Sequence, residues 1–241
     1  MINVYETKSM KERLCGNPYA GRGIVTGMSA DGTKGVAAYF IMGRSANSRN
    51  RVFREEGDDL VIYPFDESKV EDPSLIIYYP LRKLDDLLLV TNGDQTDTAA
   101  RFIIEGGTFE DALMTREFEP DGPNWTPRIS AQLRFDNPGK FSYRQSILKS
   151  ADDKGSACSR YFFNYEGIPG LGHFIHTYMT DGDPLPTFLG EPERVSIPDD
   201  IDAFTSEIWD SLDQDNRISL YVRYVDIESG KTENRLINKN K

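Results

Sequence analysis

A run of short β-rich segments, separated by turn residues, limits the folds open to this chain more than any other feature. Four such segments fall between residues 126 and 179, and the breaks between them are Asn-Pro-Gly, Asp-Asp-Lys-Gly and Pro-Gly. Breaks this short suit antiparallel connections, because parallel strands need a long crossover. The pattern therefore predicts an α+β fold of hairpins with few helices, and it argues against alternating βαβ units.

Other strands and a few helices are predicted on either side of this run. Strands are expected over 59–65 and 84–93, and hairpins over 23–43 and 217–238. Thr96 or Asp97 is expected to cap a helix that runs to residue 105 and stops at Gly106-Gly107. Thr108 and Asp111 form a capping-box pattern that opens a second helix. A third helix is predicted over 199–212, entered between residues 196 and 199.

Composition and charge narrow the classes of partner. The chain has 241 residues, of which 38% are hydrophobic, so it is globular in composition and long enough to bury a core. It carries 39 acidic and 28 basic residues, a net charge of −11, which argues against nucleic acid as a partner. We see no signal peptide and no membrane-spanning segment. We therefore expect a cytoplasmic protein in one domain, with Cys15 and Cys158 as free thiols.

Residues 43–54, GRSANSRNRVFR, concentrate four arginines in this acidic chain: Arg44, Arg49, Arg51 and Arg54. The planar guanidinium donates two parallel hydrogen bonds that suit a phosphate group. A small phosphorylated ligand is one interpretation, and pairing with the abundant surface acids is the other. Composition alone favours neither.

Three further polar motifs, over 18–24, 91–98 and 124–129, lie at the ends of predicted strands, where a scaffold displays functional groups. Asn92 and Gly93 indicate a turn, after which Thr96, Asp97 and Thr98 would lie at a helix N-terminus that favours an anion. Asp97 is also a possible carboxylate base. The alternative is that Thr96 or Asp97 only caps the helix.

Several kinds of chemistry have no support in the sequence. His173 and His176 would face opposite sides of one strand, which makes a shared metal ion improbable. The chain lacks a nucleophile elbow, a phosphate-binding P-loop and a dinucleotide-binding glycine motif after a strand. We therefore expect no covalent catalysis, no metal and no cofactor.

Four motifs in register give the chain a resemblance to the archaeal-type IMP cyclohydrolase family and its bacterial relatives. They are Tyr19-x-Gly21-Arg22, Arg44-Ser45 with Arg49, Asn92-Gly93 with Thr96-Asp97-Thr98, and Thr126-Pro127-Arg128-Ile129. The resemblance implies a four-layer αββα sandwich, mostly antiparallel, similar to the N-terminal-nucleophile hydrolases. It leaves residues 1–16 as an N-terminal extension of that domain. Because the chain begins Met-Ile-Asn, we expect no self-processing.

The resemblance also implies an activity, the closure of 5-formamidoimidazole-4-carboxamide ribonucleotide to IMP with loss of water. The partner is then a small nucleotide, and family likeness suggests a homo-oligomer. The carboxamide nitrogen attacks the formyl carbon of the same molecule, so the enzyme must orient two arms, stabilise an oxyanion and move protons. No protein nucleophile is required.

Site residues follow from the resemblance, position by position. The expected catalytic residues are Tyr78, Glu119, Asp97 and Arg44. The expected substrate-binding residues are Tyr19, Arg22, Ser45, Arg49, Asn92, Gly93, Thr96, Thr98 and Arg128. Arg51 and Arg54 are weaker candidates, because they lie off the archaeal pattern. There is an alternative to each catalytic role. Tyr78 is then an ordinary aromatic residue of a strand, and Glu119 is an acidic residue of a surface loop.

Three rival functions stay open at this point. The first is a nucleotide-binding module that has lost turnover. The second is an amidohydrolase on the same fold, which the missing nucleophile disfavours. The third is an interaction protein in which the arginines bind no small molecule.

Overall fold

The computed structural model describes residues 3–69, 78–136 and 139–240. Within these ranges thirteen strands form two antiparallel sheets, and helices are few, which confirms the α+β prediction. Sheet A contains, in spatial order, β11 (Glu193–Ser196), β10 (Leu171–His176), β1 (Arg22–Met28), β2 (Lys34–Met42), β12 (Arg217–Asp226) and β13 (Thr232–Asn238). Sheet B contains β3 (Val52–Glu56), β4 (Asp59–Tyr63), β5 (Leu81–Leu84), β6 (Leu87–Thr91), β7 (Arg128–Asp136), β8 (Lys140–Ser150) and β9 (Cys158–Glu166).

The helices are short. They are α1 (Met10–Leu14), α2 (Ala46–Arg49), α3 (Gln95–Ile104), α4 (Phe109–Met114) and α5 (Ile201–Ser211), with a 3₁₀ turn at Glu67–Lys69. None of the helices in the described ranges is long and apolar enough to cross a membrane. Cys15 and Cys158 are free thiols, as predicted.

Both predicted hairpins are confirmed. β1 pairs with β2 from Arg22↔Ile41 to Met28↔Gly35, and β12 pairs with β13 from Ser219↔Asn238 to Val225↔Thr232. Strands β7, β8 and β9 also follow one another as antiparallel neighbours. Asn137 and Pro138, two residues of the predicted break between β7 and β8, lie outside the described residues.

Strand β2 shows how the core is built. Ala37, Tyr39 and Ile41 belong to an apolar cluster between the two sheets, whereas the intervening Ala38 and Phe40 belong to a cluster under helices. Successive side chains of a strand point to opposite faces, so both faces of β2 are buried. This explains why its sequence is continuously apolar instead of alternating. Each large side chain buried in this way contributes about 1.5–3 kcal/mol.

Helices cover the outer face of each sheet. Met10 and Leu14 of α1 and Phe204 and Ile208 of α5 pack on the outer face of sheet A. Helices α3 and α4 pack on sheet B through a cluster that includes Leu113. The N-terminal residues are thus part of the packing: Ser9 and Glu12 form a capping box at α1, and Met10 is fully buried.

Two predicted helix starts are wrong by a few residues. Helix α3 begins at Gln95, and Asp94 takes the N-cap position without a capping hydrogen bond, so neither Thr96 nor Asp97 is the cap. The Thr96 hydroxyl bonds back to Thr91 at 2.5 Å, a tertiary contact that draws the first turn of the helix against β6. Helix α5 is capped by Asp200, one residue beyond the predicted entry. The capping box of Thr108 and Asp111 is confirmed.

Candidate functional site

One end of the two sheets gathers six ionisable side chains, which we call the inter-sheet cluster: Arg22, Tyr39, Arg51, Tyr78, Glu119 and Tyr178. β1 begins at this end, where β2 and β10 end, since Arg22 pairs with Ile41 and Gly23 pairs with His176. In sheet B, Tyr78 lies at the same end, shortly before β5 begins. Its carbonyl accepts a hydrogen bond from the Ile62 N–H at 3.0 Å. Antiparallel pairing therefore brings distant parts of the chain to one place.

Arg22 and Glu119 form the charged centre of the cluster. The Arg22 Nη2 donates to the Glu119 Oε1 at 2.7 Å. Burial opposes the charge of the guanidinium, but Glu119 and three tyrosine hydroxyls outweigh it and hold the pKa of Arg22 well above its ordinary value. Glu119 keeps 28% of its side chain exposed, so a ligand in the site can reach the carboxylate.

Gly21 is needed to place Arg22. Its φ is +77°, and a Cβ at this position would lie 2.2 Å from the Thr177 Oγ1. That hydroxyl instead accepts the backbone N–H of Arg22 at 3.1 Å. The Gly-Arg pair of the first motif is therefore explained by a close approach of the backbone to the residue after β10.

Two tyrosine hydroxyls meet across the sheets. The Oη atoms of Tyr39 and Tyr78 share a hydrogen bond of 3.1 Å, and both side chains are buried. Burial raises the pKa of each phenol, although the Arg51 and Arg22 cations act in the opposite direction. Both phenols are therefore neutral at pH 7 and able to donate a hydrogen bond.

A second pair of tyrosines lies beside them. Tyr178 stacks on Tyr19 with ring centroids 5.9 Å apart, and burial raises the pKa of Tyr178 to about 12. Its hydroxyl bonds to the hydroxyl of Thr126, which also bonds to the Asp121 carboxylate. The Arg44 guanidinium lies 5.1 Å from the centre of the Tyr19 ring. Tyr19 thus contacts the cluster through Tyr178, and Arg44 contacts Tyr19.

Sequence reasoning missed Tyr39, Tyr178 and Thr126 as site residues. Tyr39 lies in the apolar sequence of β2, and nothing in that sequence distinguishes it from its neighbours except its hydroxyl group. Thr126 falls inside the fourth motif used for the resemblance, and Tyr178 lies outside the four motifs. Neither showed a pattern of its own, since their mutual contact joins positions 52 residues apart.

The predicted arginines of residues 43–54 have different partners. Arg44 pairs with Asp181 and donates to the Gly182 carbonyl at 3.0 Å. Arg49 donates to the Gly43 carbonyl at 3.0 Å and to the Asn216 Oδ1 at 3.1 Å. Arg54 lies 5.0 Å from the ring centre of Tyr63. Ser45 caps the short helix α2 through a reciprocal bond with Ser48.

Asn92 and Gly93 are placed in the turn between β6 and α3. The Asn92 amide donates to the Pro127 carbonyl at 2.9 Å and accepts from the Ile129 N–H at 2.9 Å. A Cβ on Gly93 would lie 2.6 Å from the Arg128 Nη1 and 2.6 Å from the Gln95 Oε1, so a larger residue there would displace these two side chains. The Thr96 hydroxyl also donates to the Gly93 carbonyl at 3.0 Å. These contacts join the turn to the segment that carries Thr126.

Arg128 and the first turn of α3 form a charged group of their own. Arg128 donates to Gln95 at 2.7 Å and pairs with Asp94 at 2.8 Å. Burial disfavours the Asp94 carboxylate, but Arg116 and Arg128 outweigh that effect and lower its pKa. The structure thus gathers Arg128 with the Asn92–Gly93 turn, as a group of contacts separate from those of the inter-sheet cluster.

The remaining predicted residues of α3 have their own partners. Asp97 pairs with Arg82 at 2.7 Å and is half exposed, and the Thr98 hydroxyl accepts from Arg116 at 3.3 Å. The N–H groups of Thr96 and Asp97 donate to the carbonyls of Gly93 and Asp94. The backbone donors predicted to face an anion are therefore already bonded within the turn.

We expect Asn92→Ala to lower the free energy of unfolding by about 2–4 kcal/mol, because it leaves a buried carbonyl and a buried N–H without partners. Urea denaturation measures this directly. Asn164→Ala, at an exposed position of β9, is the control, with an expected change within about 0.5 kcal/mol. Unchanged stability with weakened nucleotide binding in Asn92→Ala would instead place Asn92 on the ligand.

The two histidines have separate partners. The His173 Nδ1 lies 2.7 Å from the Tyr143 Oη, and the His173 ring stacks on Tyr165. The His176 Nδ1 donates to the Tyr178 carbonyl at 2.7 Å. Among the described residues, no group of three or more His, Cys, Asp or Glu side chains is arranged to hold a metal ion.

Comparison with known proteins gives one family. The sequence model of the family described as IMP cyclohydrolase-like protein matches residues 19–231. The IMP cyclohydrolase of Methanopyrus kandleri is 35% identical over 183 residues, which cover 70% of this chain and 89% of that protein. The IMP cyclohydrolases of Methanosphaera stadtmanae and Methanococcus maripaludis are 33% and 34% identical, over 50% and 49% of this chain and 60% of each relative. All six residues of the inter-sheet cluster lie in the matched range.

Proposed function

We propose that this chain, which belongs to the IMP cyclohydrolase-like protein family, closes 5-formamidoimidazole-4-carboxamide ribonucleotide to IMP with loss of water. The observation that carries the proposal is the family match over residues 19–231, which contains the whole inter-sheet cluster. The enzyme is a cyclohydrolase whose partner is a small nucleotide. The homo-oligomer and the cytoplasmic location expected from the sequence stay predictions.

The proposed fold is the four-layer αββα sandwich that resembles the N-terminal-nucleophile hydrolases, in one domain. Three apolar clusters among the described residues support it. One lies between the sheets, one between sheet A and helices α1 and α5, and one between sheet B and helices α3 and α4. Residues 1–16 are the N-terminal extension of this domain.

The reaction needs no nucleophile from the protein. The carboxamide nitrogen forms a bond to the formyl carbon, and the carbonyl π pair moves onto the formyl oxygen. That oxygen takes a proton originating from the attacking nitrogen and then leaves as water with the formamide N–H proton. The protein must hold both arms in an attack geometry, which is worth effective molarities of about 10⁵–10⁸ M.

Glu119 is the proposed general base. Its carboxylate accepts the proton that the carboxamide nitrogen loses, and the 2.7 Å contact with Arg22 fixes its direction. Tyr78 is the proposed donor to the formyl oxygen, because its buried phenol stays protonated at pH 7. Tyr39 holds the Tyr78 hydroxyl in place through the 3.1 Å bond. Tyr39 and Tyr78 lie between the sheets, where water is scarce and a hydrogen bond to a developing charge is strong.

The proposed nucleotide-binding residues lie around this centre. Arg44 keeps 37% of its side chain exposed and lies over Tyr19, so we place the 5′-phosphate at Arg44, Ser45 and Arg49. Arg128 is proposed to position the segment around Thr126 beside the substrate. Asn92 holds the same segment through Pro127 and Ile129, and the substrate contacts predicted for Asn92, Gly93, Thr96, Asp97 and Thr98 stay predictions.

The function is tested by ultraviolet-monitored conversion of the formamido ribonucleotide by the purified protein after treatment with a chelator. We expect saturable turnover to IMP that survives the chelator. Tight binding of IMP without turnover would favour the nucleotide-binding module. Release of ammonia from amide substrates would favour the amidohydrolase.

A further inference from the structure

Arg51 has a buried polar atom that the rest of the described chain leaves without a partner. Its Nε is inaccessible to water and has no hydrogen-bond partner among the described residues. Nor does any ion pair in those ranges include Arg51, whereas Arg22 pairs with Glu119 and Arg44 pairs with Asp181. The residue as a whole is partly buried, and its guanidinium stays charged at any relevant pH.

The strand pattern gives the position of Arg51. It immediately precedes β3 and lies two residues before Phe53, so the two side chains share the face that is turned to sheet A. Phe53 belongs to the cluster between the sheets and stacks on Tyr39, with ring centroids 5.6 Å apart. The Arg51 cation consequently acts on the phenols of both Tyr39 and Tyr78.

Tyr78 approaches the same place from the neighbouring strand. Phe53 pairs with Ile62 of β4, and the Ile62 N–H donates to the Tyr78 carbonyl at 3.0 Å. Two neutral phenols and one uncompensated guanidinium thus share one end of the inter-sheet space. The phenols and the guanidinium are hydrogen-bond donors held in fixed positions, and the guanidinium is positively charged. They therefore stabilise a negative charge that develops beside them, without having to reorganise.

We infer that Arg51 is a catalytic residue whose guanidinium stabilises the negative charge on the formyl oxygen during ring closure, beside the Tyr78 hydroxyl. The inference rests on the proposed function. When the C–N bond forms, the carbonyl π pair moves onto the formyl oxygen, and the negative charge of that oxygen lies beside Arg51. The charge is relieved as the oxygen is protonated and leaves as water. The motif arginine two positions earlier, Arg49, bonds instead to Gly43 and Asn216.

The test compares Arg51→Met and Arg51→Lys with Arg54→Met as the matched control, since Arg54 is exposed and stacks on Tyr63. The measurements are kcat and KM for the formamido ribonucleotide, the Kd of IMP and the melting temperature. We expect Arg51→Met to lower kcat by about 10²–10³-fold. KM and the Kd of IMP should change by less than about threefold, because the lost interaction exists only in the transition state.

Two readouts separate this role from a structural one. Arg51→Met should melt no lower than the unaltered protein, because it removes an uncompensated charge. Arg51→Lys should recover part of the lost kcat, because it restores the charge without the planar fork. Arg54→Met should turn over like the unaltered protein.

Each contrary result overturns the inference. A kcat of Arg51→Met close to that of the unaltered protein would remove Arg51 from catalysis. A raised KM and a raised Kd of IMP with unchanged kcat would place Arg51 on the phosphate or another ground-state group. A lowered melting temperature without recovery in Arg51→Lys would make its role structural. No turnover by the unaltered protein would overturn the proposed function together with this inference, whereas active Arg51→Met overturns the inference alone.

Discussion

Glu119→Gln is expected to lower kcat for ring closure by about 10²–10⁴-fold, the usual contribution of a general base. The amide has nearly the same shape and still offers an oxygen to Arg22, but it cannot take the proton of the carboxamide nitrogen. The fold should therefore survive, and steady-state kinetics with the formamido ribonucleotide measures the effect.

Glu110→Gln is the matched control for this substitution. Glu110 pairs with Arg144 at 2.7 and 2.8 Å, an arginine–glutamate pair outside the inter-sheet cluster, and its loss should leave kcat unchanged. If Glu119→Gln kept kcat within about tenfold of the unaltered protein, Glu119 would only hold Arg22 in place.

Tyr78→Phe is expected to lower kcat by about 10²–10³-fold, because it removes one donor to the developing oxyanion while the ring keeps its packing. The free energy of unfolding should fall by only about 1 kcal/mol, since a single hydrogen bond to Tyr39 is lost. Kinetics and urea denaturation of the same preparation separate the two effects.

Tyr143→Phe provides the comparison. Tyr143 is also buried between the sheets, and its hydroxyl lies 2.7 Å from the His173 Nδ1. We expect a similar loss of stability and an unchanged kcat. Equal losses of kcat in both variants would mean that the Tyr78 hydroxyl acts through the packing of the core.

Local patterns were enough to predict much of the fold. The hairpin of β1 and β2 and the capping box of Thr108 depend on residues close together in the chain, and both are present. The start of α3 was predicted too late, because Thr96 bonds to Thr91 and Asp94 pairs with Arg116, 22 positions away. Contacts that form only when a helix packs against its neighbours leave no trace in local spacing.

Some residues of the candidate site were predicted from the sequence, and others were not. Arg22, Tyr78 and Glu119 were named from motif positions, and the structure places them in one cluster. Tyr39 was missed, because a hydroxyl in the middle of an apolar strand gains a partner only when two sheets pack. Arg51 and Arg49 look alike in the sequence. Arg49 is the last residue of helix α2, whereas Arg51 immediately precedes β3, and the point where the helix ends and the strand begins was not predictable from composition.

The most direct test of the account is the crystal structure of the protein with bound IMP. We predict that the purine ring lies between the sheets, with its newly closed edge turned toward Tyr78 and Arg51 and the phosphate at Arg44 and Arg49. IMP bound at the turn of Asp94 and Arg128, with the inter-sheet cluster away from the ligand, would contradict the account.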